Sequence, residues 1–347
     1  MLVNRDSLAS LPYFAAMLRP NTWSESQPGT RTITVHEDHP VAMELLLRGL
    51  HDTLPDLSAS TTSTTLTNVT IKDIWYTVLL SDKYLLDRDP LSAWVSSWTQ
   101  AELKEPRQSQ RGDKLQLEQE LLFPAYAFDC AKEFQIVTRK LVYHGKGHLV
   151  ERNPVEVRQL HLPARVCQQL NASRGRLRTI LHTSLFEAVA SLVSIGDCPC
   201  KELAVFEYLR ELKRIEVWPL EDVMKDASIS DILERLDDFD QKNMRRLKDE
   251  EFDGSRFCAC SRSWAVVVNQ AKKRVAEYFD GLCLDCMDKT KNLGEGGDQD
   301  DDYWHYWKRY SRYDSKCRIM HGQPTWYFSF MGRREKGGLV AGLEDEK

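Results

Sequence analysis

The stretch "WAVVVNQAKKRVAEYFDGLCLDCMDKTK", residues 264–291, carries both a fold signal and a chemical one. Trp264, Val267, Val268, Ala271, Val275, Tyr278, Phe279 and Leu282 recur at helical spacing, which predicts one amphipathic helix over 264–282. Directly behind it stand Gly281, Cys283 and Cys286. At a rise of about 1.5 Å per residue such a helix is about 28 Å long. Cysteines beyond its two ends therefore cannot share an ion, because a zinc–sulfur bond is only about 2.3 Å.

That distance sorts the other cysteines. The chain has nine, five of them after residue 250. Four pairs have chelate-like spacing: Cys198/Cys200, Cys258/Cys260, Cys283/Cys286 and Cys317/His321. Cys258 and Cys260 precede the helix, so the partner for Cys283/Cys286 is Cys317/His321. A C-x3-H spacing brings both groups to one side if its backbone is helical. The expected main site is Cys283, Cys286, Cys317 and His321, a four-ligand set suited to structural Zn2+. Cys198, Cys200, Cys258 and Cys260 form a second, weaker candidate, since C-x-C is a poorer chelate. Cys130 and Cys167 lie in apolar helical surroundings and read as core thiols. His144 and His148 in "YHGKGH" belong to a glycine loop and are weak ligand candidates. A redox role for Cys283/Cys286 is disfavoured, because redox pairs begin a helix and this one is expected to follow one.

Composition limits the remaining classes. The 347 residues are 42% hydrophobic and 29% charged, with a net charge of −5. A chain-wide basic footprint for nucleic acid is absent. No run of 18 apolar residues predicts a membrane span, and the opening residues do not read as a signal peptide, so the expected location is cytoplasmic or nuclear. In that setting the cysteines are ligands or thiols, not a disulfide framework. No P-loop, GxSxG or HExxH occurs, and the expectation is no enzyme. The acidic run "DQDDD" (298–302) reads as a solvated loop.

Helical periodicity recurs along the chain. Met43, Leu46, Leu47 and Leu50 make one stripe; Ile71, Ile74, Trp75 and Val78 a second; Leu91, Trp94, Val95 and Trp98 a third. The segment 121–144 reads as helices broken near Pro124. A long stripe from Leu177 to Leu192 ends at Gly196, and Val205, Tyr208, Leu209 and Leu212 make another. "SISD" (228–231) has the form of a capping box. "TITVHED" (32–38) is the strand candidate near the start. In "PTWYFSFM" (324–331) aromatics alternate, which predicts a strand with one aromatic face packed on the helical region; a partner-binding hot spot is the rival reading.

Three segments follow one another in a recognisable order: "RDSLASLPYFAAML" (5–18), "ITVHEDHPVAMELLLRGLH" (33–51) and "IWYTVLLSDKYLLDRDPLSAWVSSW" (74–98). In order and chemistry they resemble a BTB/POZ domain. Ser10, Tyr13 and Phe14 stand where that family has a Ser-Pro-x-Phe-like stretch, Asp38 and Ala42 match its strand-plus-helix region, and "SDKYLL" resembles its "ADKY" helix. The later part, through "HGQPTWYFSFMGR" (321–333), is similar to BTB-domain proteins of fungi. The family opens with a strand pair, and this chain starts inside the second strand, so the resemblance implies either a truncated sequence or a domain that lacks an edge, with unpaired backbone groups on the remaining sheet.

The expected fold class is α+β and mostly helical. It comprises a truncated BTB/POZ-like domain over 1–100, with a polar loop at 56–70, and a linker over 101–114. A helical Cys-rich domain stapled by zinc spans 115–332, and a disordered tail covers 333–347. The resemblance implies a non-enzymatic adaptor that binds other proteins through its BTB-like domain. The resemblance also allows a role as substrate receptor of a cullin ubiquitin ligase and a homodimer through the same domain. The alternative is a zinc-containing transcription regulator that binds nucleic acid through "KKRVAEY" (272–278) and "WKRYSRY" (307–313).

Overall fold

The structure, a computed structural model, describes residues 2–20, 23–27, 29, 32–55, 57, 69–104, 115–155, 160–194, 200–245, 263–289 and 316–330. These residues are mostly helical and contain no strand. The β part of the expected α+β class is therefore not found among them. Residues 32–36 carry the strand-like alternation, but a strand needs a second strand to bond with, and none of the described residues supplies it. The tail and nearly all of the loop at 56–70 lie outside the described residues; of the linker, 105–114 lie outside and 101–104 are the end of the helix Asp89–Lys104.

Two short helices, α1 (Arg5–Ala9) and α2 (Pro12–Met17), lead into α3 (Pro40–Leu50), α4 (Ile71–Lys83) and α5 (Asp89–Lys104). The stripes read from the sequence are the buried faces. Met43 and Leu46 of α3, Ile74, Trp75 and Val78 of α4, and Leu91, Trp94, Val95 and Trp98 of α5 are all buried. The α3 and α4 segments are tied at their margins. The buried Asp38 carboxylate accepts a hydrogen bond from Lys83 Nζ at 2.6 Å and another from the Tyr84 hydroxyl. Phe14 stacks on Tyr84 with ring centroids 5.1 Å apart.

Helices α6 (Gln116–Ala127) and α7 (Ala131–His144) form a hairpin. Pro124 does not break α6, which ends three residues later at Ala127. A proline inside a helix leaves the carbonyl four residues back without its donor. Here that carbonyl belongs to Glu120, and the Trp75 indole N–H donates to it at 2.9 Å. Trp75, fully buried and packed on Phe123, thus repairs the bond that proline removes and joins α4 to α6. Replacing Trp75 by Phe should cost about 2 kcal/mol, from a buried unsatisfied carbonyl plus lost volume. Urea unfolding of the two proteins would check this as a lowered midpoint at unchanged slope.

Helix α8 (Ala164–Ser194) is the longest described helix, and α7, α9 (Lys201–Arg214) and α12 (Trp264–Ala276) pack against it. Leu177, Ile180, Leu181, Leu185, Ala188 and Leu192 are its buried stripe. Trp264 opens α12 by stacking on Tyr208 of α9 at 4.1 Å, and the Tyr208 hydroxyl donates to the Leu185 carbonyl. The short α10 (Leu220–Asp226) and α11 (Ile229–Arg235) follow α9 in sequence. Ser228 and Asp231 make the expected capping box at the start of α11. No helix is long and apolar enough to cross a membrane, among the described residues.

Ahead of α8, both carboxylate oxygens of Glu151 accept the Leu162 N–H, at 2.9 and 3.1 Å. Burial pushes this carboxyl up to about 7, against the opposing pull of that hydrogen bond. A folded-state value above the unfolded one means that the folded protein binds the extra proton. Stability should therefore fall as pH rises from about 4.5 to about 7, by on the order of 2 kcal/mol. Glu151→Gln, which keeps an acceptor for Leu162, should remove that slope and melt higher than wild type at pH 8. Melting curves across this pH range provide the check.

Candidate metal centre

The helix expected over 264–282 ends at Ala276. Residues 277–283 leave the helical path and run across α7. Two side chains and one backbone carbonyl of α7 shape this crossing. The Tyr143 hydroxyl donates to the Val275 carbonyl at 2.8 Å and accepts from the Phe279 N–H at 3.3 Å. The Leu282 N–H donates to Thr138 Oγ1 at 2.9 Å. Gly281 passes over the Gln135 carbonyl so closely that a Cβ would stand 2.1 Å from its oxygen, with φ at +102°. Only glycine suits both conditions.

A new short helix, α13 (Leu284–Lys289), begins right after Cys283, and the Cys283 carbonyl accepts the Met287 N–H at 3.1 Å. The pair thus stands at the start of a helix, not at the end of one. This corrects the geometric reason for setting a redox role aside. Cys317 and His321 lie on a bent segment, not on a helix. Two anchors hold that segment. Arg318 donates to both carboxylate oxygens of Asp129, in the α6–α7 turn, at 2.8 and 3.1 Å, and its Nε donates to Asp285 of α13 at 2.8 Å. Burial opposes the Arg318 charge, but Asp129 and Asp285 outweigh it and raise its affinity for the proton. On the other side, the Gly322 N–H donates to Asp280 Oδ2 at 2.7 Å.

The last described helix, α14 (Gln323–Ser329), replaces the strand expected from alternating aromatics. Pro324 sits in its first turn, where a missing N–H costs nothing. Its hydroxyls face the cysteine crossing: Thr325 Oγ1 accepts from the Asp280 N–H at 3.0 Å, and Ser329 Oγ accepts from the Cys283 N–H at 2.9 Å. Trp326, Phe328 and Phe330 are buried, so the aromatic segment packs inward. Trp326 and Phe330 join Ala131 and Ile319 in an apolar shell around the cysteines.

Within that shell the ligand atoms of Cys283, Cys286, Cys317 and His321 all lie within 4.8 Å of one another. This group could hold a metal ion. Cys286 Sγ is 3.7 Å from Cys317 Sγ and 3.4 Å from His321 Nε2. Sulfurs on a tetrahedral ion with bonds of about 2.3 Å stand about 3.8 Å apart, whereas a disulfide needs about 2.05 Å. The spacing fits ligands around an ion. His321 Nδ1 lies 3.0 Å from the Gly322 carbonyl, an arrangement in which Nδ1–H donates and Nε2 keeps its lone pair for the ion. Without metal, hydrogen bonding from Cys286 and then from His321 outweighs burial and draws Cys283 down to about 5, while the same sharing drives Cys286 upward. Burial would lower His321, but its contact with Cys283 raises it. Binding an ion must displace these shared protons.

Of the second candidate site, only Cys200 is described. It is a buried thiol at the start of α9; Cys198, Cys258 and Cys260 lie outside the described residues. Cys130 is buried, as expected, and Cys167 is partly buried. His144 and His148 are exposed and join no metal-ligand group among the described residues. "WKRYSRY" lies outside the described residues, and on α12 Lys272 is paired with Asp237. Sequence reading missed the hydroxyls of Thr138, Tyr143, Thr325 and Ser329. They have no spacing relation to the cysteines and become relevant only when the 277–283 crossing meets α7 and α14. No family model, curated protein or solved structure matches the chain.

Proposed function

We propose that the chain is a non-enzymatic interaction protein whose C-terminal region is stapled by one structural zinc ion on Cys283, Cys286, Cys317 and His321. The observation that carries the zinc assignment is the donor set: three sulfurs and one imidazole nitrogen, converging in an apolar shell. Soft thiolates with imidazole in a four-fold set select zinc over the hard oxygen-seeking cations. Four protein ligands complete a tetrahedron and leave no open position for a substrate or an activated water, which marks a structural ion.

The first hundred residues act, on this proposal, as a BTB/POZ-like protein-binding module, and the protein as an adaptor that can present a target to a cullin ubiquitin ligase. Support comes from the three ordered N-terminal segments and from the Asp38 contacts that tie "EDHP" to "SDKY". Capture on the immobilised full chain is the test. Recovery of a cullin-type scaffold, retained in moderate salt, is expected. Binding of DNA or RNA with a steep salt dependence, and no protein partner, would instead favour a transcription regulator.

A further inference from the structure

We propose that Cys286 and Cys317 form an oxidation site, at which a hydroperoxide converts the two thiolates to a disulfide and ejects the metal. The proposal rests on the zinc reading of the same four residues. Its motive is an asymmetry in the ligand set. Cys283, Cys286 and His321 are 0%, 1% and 5% exposed, while Cys317 is only partly buried. Cys317 is thus the ligand an oxidant reaches first, and a reachable thiolate beside a second thiol is the arrangement of a redox sensor.

The partner is also specified. Cys286 Sγ, 3.7 Å from Cys317 Sγ, is within a short movement of bonding distance. Arg318 pins the backbone beside Cys317 to Asp129 and Asp285, so a turn of the Cys317 side chain closes this distance, whereas Cys283 is fixed by its N–H to Ser329 and by the start of α13. In the first step the Cys317 thiolate attacks one oxygen of hydrogen peroxide. An S–O bond forms, the O–O bond breaks, and hydroxide leaves, giving a sulfenic acid. In the second step the Cys286 thiolate attacks that sulfur, the S–O bond breaks, and a second hydroxide leaves. Two thiolates have lost two electrons, and one peroxide has been reduced to two hydroxides. Cys283 and His321 remain, half of the ligand set, and cannot retain the ion against competing chelator. A thiol reductant returns both thiolates and restores binding.

The experiment uses zinc-loaded full chain, a colorimetric zinc chelator and graded hydrogen peroxide, followed by disulfide mapping by mass spectrometry. Zinc release with a mapped Cys286–Cys317 bond, reversed by dithiothreitol, is expected. Cys317→His keeps four donors without the accessible thiolate and should release zinc about ten-fold more slowly. Zinc-loaded protein that keeps its ion, or releases it with only a Cys283–Cys286 bond, overturns the oxidation site and leaves the zinc reading standing. Protein with no zinc before peroxide is added overturns both. If the variant does not fold, the wild-type disulfide map alone decides.

Discussion

Cys283→Ser, or removal of the ion by a strong chelator, should release residues 316–330 from the rest of the protein. The expected readouts are a melting transition lowered by 10 °C or more, on the order of several kcal/mol for a structural ion, and new trypsin cleavage after Lys316 or Arg318. The reason lies in how that segment is held. Its polar anchors are Arg318 to Asp129 and Asp285, Gly322 to Asp280, and the α14 hydroxyls to the crossing. Arg318 is about half exposed, so its ion pairs contribute modestly. Gln135 Nε2 adds a bond to the Met320 carbonyl, and a metal on the four ligands would add a further link between α13 and the segment. Without it Trp326, Phe328 and Phe330 lose their register against the cysteines and expose an apolar surface. The packing of α3 on α4 involves none of these residues and should survive, visible as retained helical signal. A variant that melts like wild type with a full zinc complement would place the ion elsewhere.

Gly281→Ala should be as damaging without touching a ligand. Its Cβ would meet the Gln135 carbonyl at 2.1 Å, and its φ of +102° is one that alanine rarely adopts. The backbone must lift off α7, breaking the Leu282–Thr138 hydrogen bond one residue on and shifting Cys283. A loss of about 4 kcal/mol or more is expected, with weakened zinc retention in a competition titration. Alanine at Gly147, where φ is positive but no atom lies within 4 Å, is the matched control and should retain zinc as wild type does.

Much of the helical framework could be read from periodicity, because the stripes of α3, α4, α5 and α8 face a single extended core. The convergence of Cys283, Cys286, Cys317 and His321 could be read as well, since chelate spacing and the reach of one ion restrict which pairs can meet. That reading placed Cys317 and His321 beside Cys283 and Cys286, where the structure has them, through a partly wrong premise: the helix it measured stops at Ala276. That stop was illegible because nothing local enforces it. Tyr143 and Thr138, more than 130 residues earlier, capture the Phe279 and Leu282 N–H groups in its place. Pro124 misled for the same reason, as its remedy is the distant Trp75. In the tail, Gly322 and Pro324 were a local helix-start signal, outweighed by the alternation of aromatics. Both faces of α14 are wanted inside, one by the apolar shell and one by Phe279. A short buried segment of this kind has no polar side to reveal its period.

The most direct test is the metal content of reduced, freshly purified full chain against that of Cys286→Ser prepared in parallel, by elemental analysis. Taking the difference removes any ion bound elsewhere in the chain. The expected result is one zinc ion per chain more in the wild type, because Cys286 stands in contact with both Cys317 and His321. Equal zinc in the two proteins, or none in either, would contradict the staple.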